Sequence, residues 1–106
     1  MIELYDRNAF ECSKVTAQNY STSFSFGIRL FHKKYRPAIY AIYGYVRFAD
    51  EIVDTFHEQK QEQLIKKFRK RTFQAIENRF SSNPILHSFQ KVVNENCIDF
   101  QFIEAF

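Results

Sequence analysis

A chain of 106 residues with a net charge of +3 has room for one small domain, and 45% hydrophobic beside 25% charged residues place it among globular folds. Two Gly, two Pro and no β-branched alternation leave little turn material and point to an all-α fold. No charge-free apolar run of about eighteen residues could span a membrane, the N-terminus MIELYDRNAFECSK lacks a signal-peptide core, and the charge excess is too mild for a nucleic-acid binder.

In chain order, Asp6 is placed to cap a first helix over residues 6–18, with Ala9, Cys12 and Thr16 along one face. A second, short helix is expected near Ser21, with Phe24, Ile28 and Phe31 at helical spacing. HKKYR makes the turn, and Pro37 suits the first turn of a long helix over 36–56. Residues 57–79 are amphipathic, with Ile65, Phe68, Thr72, Ile76 and Phe80 as the stripe and Lys66, Lys67, Arg69, Lys70 and Arg71 largely off it. The SSNP segment is a linker whose Pro84 opens another helix with Ile85, Phe89, Val92 and Val93 on its apolar face. NENCID breaks that helix. Asp99 is placed to cap a last apolar one from Phe100, which is still running at Phe106, so the chain reads as truncated.

Cys12 and Cys97 have no metal-type spacing and are expected to be buried free thiols of a cytoplasmic protein. His32, His57 and His87 have no ligand spacing and are read as surface residues. Thirteen Phe exceed the needs of one small core. They would line a cavity or pack on helices outside these residues, and a chain exposing them is expected to aggregate or turn molten.

The stretch RPAIYAIYGYVRFADEIVDTF carries the chemistry. Its helix is apolar almost all round and is expected to be buried, yet it holds Arg47, Asp50 and Asp54. At about 100° per residue these three share one arc with Tyr43. Asp50 and Asp54 repel each other at i,i+4, and in apolar surroundings such a pair calls for a cation. Two hard carboxylate ligands suit Mg²⁺, which takes its remaining ligands from water and substrate phosphates. The simpler reading is a solvated acidic face. Likewise Ser21 and Ser23, in YSTSF, either cap a helix or offer hydroxyls beside free backbone N–H groups to a phosphate. The aromatic series Phe24, Phe26, Tyr40, Tyr43 and Phe48 is either core or the wall of a dry cavity that stabilises a carbocation through its ring faces. The basic cluster at 66–71 is either a solvated helix face or a peripheral membrane contact.

Taken together, YSTSFSFGIRLFHKKYRPAIYAIYGYVRFADEIVD resembles the squalene/phytoene synthase family of head-to-head prenyltransferases. Members share a Ser-x-Ser-Phe start followed by an apolar helix with Tyr, Arg and the first Asp-x-x-x-Asp at this separation. The resemblance covers the N-terminal portion of such a domain, so residues 1–106 would be an incomplete synthase domain. It implies an all-α, isoprenoid-synthase-type helical bundle around a deep apolar pocket. By position it implies Asp50 and Asp54 as ligands of Mg²⁺ (or Mn²⁺ in its place) and Ser21, Ser23 and Arg47 as diphosphate contacts. Tyr43 would stand beside the reacting centre, with Phe24, Phe26 and Tyr43 lining the prenyl pocket. Tyr43, Arg47, Asp50 and Asp54 are then the catalytic set.

The implied substrates are farnesyl or geranylgeranyl diphosphate, condensed through a cyclopropyl intermediate to a phytoene, dehydrosqualene or squalene type of product. NADPH enters only for the squalene type. Three departures stand out: Glu51 replaces a common Asp, Tyr20 replaces a commonly basic residue before the first Ser, and Pro37 replaces a helix former. The family's second Asp-rich motif is not within the 106 residues, so this piece alone is expected to be inactive. The rivals are a non-catalytic helical assembly module of the same fold and a basic lipid-surface module centred on 57–80.

Overall fold

The computed structural model describes residues 1–54, 61–99, 101 and 103, and for Thr22, Phe24, Val53 and Asp54 the backbone alone. Among the described residues five α-helices follow one another: α1 (Ile2–Tyr20), α2 (Thr22–Ile28), α3 (Arg36–Asp54), α4 (Gln61–Asn78) and α5 (Pro84–Glu95). A 3₁₀ turn over Lys33–Tyr35 leads into α3, and there is no strand among the described residues. The all-α expectation holds. His57 and the helix expected over 100–106 fall wholly or mostly outside the described residues. At its start the Asp99 carboxylate does accept the Gln101 N–H at 2.8 Å.

α3 packs against α1, α4 and α5, and α5 against α1 and α4. The approach of α1 to α3 is set by Gly44. A Cβ there would lie 3.1–3.2 Å from the Cβ, Cα and carbonyl oxygen of Ser13, tighter than most side-chain contacts, so glycine lets the two backbones meet without displacement. On the far side of the same residue, Ser13 Oγ lies 2.7 Å from Ser88 Oγ of α5, and both serines are fully buried. Each buried hydroxyl thus satisfies the other where three helices cross.

The main core lies between α3, α4 and α5 and centres on Tyr45. Its ring stacks on Phe89 at 3.8 Å and on Phe68 at 5.3 Å between centroids. Its hydroxyl donates to Thr72 Oγ1 at 3.2 Å, and Thr72 donates in turn to the Phe68 carbonyl. Ile85, Phe89, Val92 and Val93 of α5 are buried as the periodicity predicts. A smaller cluster of Ala17, Ile28 and Tyr40, with Ile39 and Tyr43 against it, ties α1 and α2 to α3.

Several expectations need correction. Asp6 caps nothing: α1 starts at Ile2, with Met1 as a cap that makes no side-chain bond. The Asp6 carboxylate is used across the bundle instead, 2.6 Å from His87 Nε2 and 3.4 Å from Lys91 Nζ. His87 is accordingly buried, not a surface residue. Its Nδ1 accepts the Ser81 N–H at 3.2 Å and its Nε2 faces Asp6, so a neutral ring can enter the core with both nitrogens satisfied. His32 is exposed as expected. Phe80 drops out of the α4 stripe because the helix ends at Asn78 and Arg79 turns the chain with φ 57°, leaving the ring half exposed. Phe31 lies beyond the end of α2 and is exposed. Both cysteines are free thiols, but Cys97 is exposed and Cys12 only partly buried. α3 is less enclosed than its composition suggests: Ile42, Phe48 and Asp50 reach solvent.

Candidate functional site

The candidate residues of α3 follow from its periodicity. Tyr43, Arg47, Asp50 and Asp54 share one face because their spacings of four, three and four keep them within an arc of about 60°. Tyr43 is partly buried against the cluster of Ala17, Ile28 and Tyr40. Asp50 is exposed, and Asp54, whose side chain is outside the described residues, is the last residue of the helix one turn on.

Arg47 is the residue around which the site is ordered. Its Nη2 donates to Glu51 Oε2 at 3.1 Å, with the two side chains 27% and 17% exposed. Its guanidinium carbon lies 4.8 Å from the centre of the Tyr20 ring, over the face of an aromatic that ends α1. A hydrogen bond to Glu51 pushes the Tyr20 hydroxyl above its ordinary value, with burial and the Glu51 charge adding and Arg47 opposing. The carboxylate therefore holds both partners, and Tyr20 and Glu51 act together on one cation.

That contact brings the start of the serine segment alongside α3. The helix breaks at Ser21, whose extended backbone (φ −151°, ψ 102°) separates α1 from α2 while its N–H still donates to the Ala17 carbonyl at 3.0 Å. Ser23 is exposed on α2. Of the expected pocket aromatics, the Phe24 side chain lies outside the described residues. Phe26 is mostly exposed, beside a shallow depression with Gln18, Ser25 and Arg29.

Sequence reading missed the apolar hollow next to Asp50. A cavity of about 190 Å³ lies between α3 and α4, walled by Tyr45, Ala49, Ile65, Phe68 and Phe73, with Asp50 and Arg69 on its lining and Ile103 closing it. The signal was present in Tyr45, Ala49 and Ile52, which repeat at helical spacing on the face of α3 beside the acidic arc. The basic residues Lys66, Lys67, Arg69, Lys70 and Arg71 are all exposed, as a solvated helix face would have them.

Among the described residues no three His, Cys, Asp or Glu side chains converge on a point. Asp50 supplies one exposed carboxylate of the expected pair, a hard oxygen donor of the kind a hydrated divalent cation takes, while the side chain of Asp54 lies outside the described residues.

The model of the squalene/phytoene synthase family matches residues 17–106. The chain belongs to the squalene/phytoene synthase family. Comparison with curated proteins and with solved structures gives no match. The family is one of all-α, metal-dependent transferases that act on prenyl diphosphates head-to-head. None of the described helices is long and apolar enough to cross a membrane.

Proposed function

We propose that this chain forms the first diphosphate- and metal-binding half of a head-to-head prenyltransferase. That enzyme would join two identical allylic diphosphates, farnesyl or geranylgeranyl, through a cyclopropyl intermediate to a linear C30 or C40 hydrocarbon. The observation that carries the reading is the Tyr20–Arg47 contact, because it sets the Ser21–Ser23 segment beside the one cation on the Asp50/Asp54 arc.

In this reading Asp50 and Asp54 hold Mg²⁺, which when bound neutralises charge on the departing diphosphate. Arg47 and the hydroxyls of Ser21 and Ser23 donate to diphosphate oxygens and fix which bond is aimed at the second substrate. Tyr43 presents its ring to the reacting carbon, and apolar walls with Phe24 and Phe26 keep water from the cation. Condensation also needs a second carboxylate-rich helix, so the 106 residues alone bind substrate without turning it over. The product is of the phytoene or dehydrosqualene type, or of the squalene type if NADPH is consumed.

The test is a chimera that supplies the family's second Asp-rich helix, given labelled farnesyl or geranylgeranyl diphosphate with Mg²⁺. Hydrocarbon is expected from the chimera, none from its Asp50→Asn variant and none from the 106 residues alone. A folded chimera that binds diphosphate yet forms no hydrocarbon overturns the catalytic reading in favour of an assembly module. Condensation by the 106 residues alone overturns their incompetence.

A further inference from the structure

Between Glu11 and Asp50 the chain contains no acidic residue, while Lys14, Arg29, Lys33, Lys34, Arg36 and Arg47 all fall in that interval. The fold gathers four of these six cations along one groove. A groove of about 310 Å³ between α1 and the α2–α3 connection is lined by Lys14, Arg29, Lys33 and Arg36, with Glu11 and Tyr40 also on its wall. Beside it project apolar side chains that no described residue covers: Leu30 is 90% exposed, and Phe31 and Tyr35 are each more than half exposed.

This tip is held rather than loose. Ile28, 2% exposed, anchors it in the cluster with Ala17 and Tyr40. The Arg36 guanidinium donates to the carbonyls of Arg29 and Phe31 at 2.9 and 3.0 Å, fixing the two ends of the Leu30 segment. His32 Nδ1 accepts the Lys34 N–H at 3.1 Å and starts the 3₁₀ turn. Arg29 lies over the Phe26 ring and Lys34 over the Tyr35 ring, each 5.4 Å from the ring centre, so cations and aromatics are interleaved.

We propose that the α2–α3 tip is a membrane-docking element: Leu30, Phe31 and Tyr35 enter the headgroup boundary of an anionic bilayer while Arg29, Lys33 and Lys34 meet its phosphates. Leucine and aromatic rings beneath a ring of Lys and Arg are what an interfacial segment needs, and the missing acidic residues remove the repulsion that an anionic surface would otherwise meet. A partner protein of ordinary mixed charge accounts for the apolar tip but not for thirty-eight residues without a carboxylate, in a class of protein where about a quarter of positions are charged. The element differs from the α4 basic face, whose cations surround no exposed apolar tip, and it stands whether or not the prenyl-transfer reading does.

The test is flotation of the whole chain with phosphatidylcholine vesicles, with and without phosphatidylglycerol, at low and high salt. Binding is expected only with the anionic lipid, and it should fall as salt rises. Leu30→Asp/Phe31→Ser should abolish it with the thermal transition unchanged, since both side chains already face solvent. Lys33→Gln/Lys34→Gln should weaken it about thirtyfold, near fivefold for each lost charge. Lys66→Gln/Lys67→Gln on α4 should bind as the parent does. Failure to float with anionic vesicles, indifference to the Leu30/Phe31 change, or loss confined to the α4 variant overturns the proposal. A chain that ignores vesicles but self-associates through Leu30 would show the tip to be a protein contact instead.

Discussion

Arg47 and Glu51, one turn apart on α3, meet at 3.1 Å while the Tyr20 ring covers the guanidinium at 4.8 Å. Two of the three positions read from the sequence as departures from the family pattern, Tyr20 and Glu51, thus close on the same cation. Both charges are less than a third exposed, so the pair is expected to be worth about 1 kcal/mol, more than a solvated i,i+4 pair. A double-mutant cycle with Arg47→Ala and Glu51→Ala, read by thermal unfolding, should return a coupling of that size. A coupling of zero would mean that the pair does not hold Arg47.

The same cation predicts how diphosphate binding responds to Tyr20. Tyr20→Phe keeps the ring face and should leave affinity for a prenyl diphosphate within about threefold, whereas Tyr20→Ala should weaken it about tenfold by freeing the guanidinium. Calorimetric titration checks both, and equal losses in the two variants would make the hydroxyl, not the ring, the part that matters.

Gly44 is where α1 and α3 approach closely, against Ser13. Gly44→Ala gains about 1 kcal/mol of helix propensity but forces α1 and α3 apart against Ser13 backbone atoms, at a cost of about 1–3 kcal/mol. A net loss near 1 kcal/mol is expected, and Gly44→Val should lose several times more. Denaturant unfolding decides it, and a stabilised Gly44→Ala would show that the helices separate freely.

Much of this bundle was legible because α3, α4 and α5 bury stripes at helical spacing and Pro37 and Pro84 mark two starts. What escaped was the long-range polar pairing. Asp6 looks like a cap until α5, some eighty residues away, brings His87 to it, and no local pattern encodes that meeting. Helix ends were hidden for another reason. α4 and α5 both close through a left-handed residue with the next N–H reaching back five positions, Phe80 to Ala75 and Ile98 to Val93. Arg79 and Cys97 occupy the positions where glycine would have been the visible signal. The acidic arc was readable from spacing alone. That Glu51, rather than Asp50, pairs with Arg47 depends on side-chain reach.

The Asp6–His87 contact gives the fold a dependence on acid. The hydrogen bond with His87 holds the Asp6 carboxyl below its ordinary value, burial opposes, and Lys91 adds to the lowering. A carboxyl lowered on folding stabilises the native state above the unfolded value, about pH 4, and loses that contribution as pH falls through the folded value. The difference in melting temperature between the parent and Asp6→Asn should therefore be largest at neutral pH and shrink below about pH 4. A difference that stays constant into acid would remove Asp6 from the account.

Titration of the chain with a non-hydrolysable farnesyl thiodiphosphate, with and without Mg²⁺, goes straight to the site on α3. Binding should strengthen at least about tenfold when Mg²⁺ is added, and Asp50→Asn/Asp54→Asn should erase that gain while leaving the fold intact. Equal affinity with and without Mg²⁺, or a gain that survives loss of both carboxylates, would contradict a metal-assisted diphosphate site at Arg47, Asp50 and Asp54.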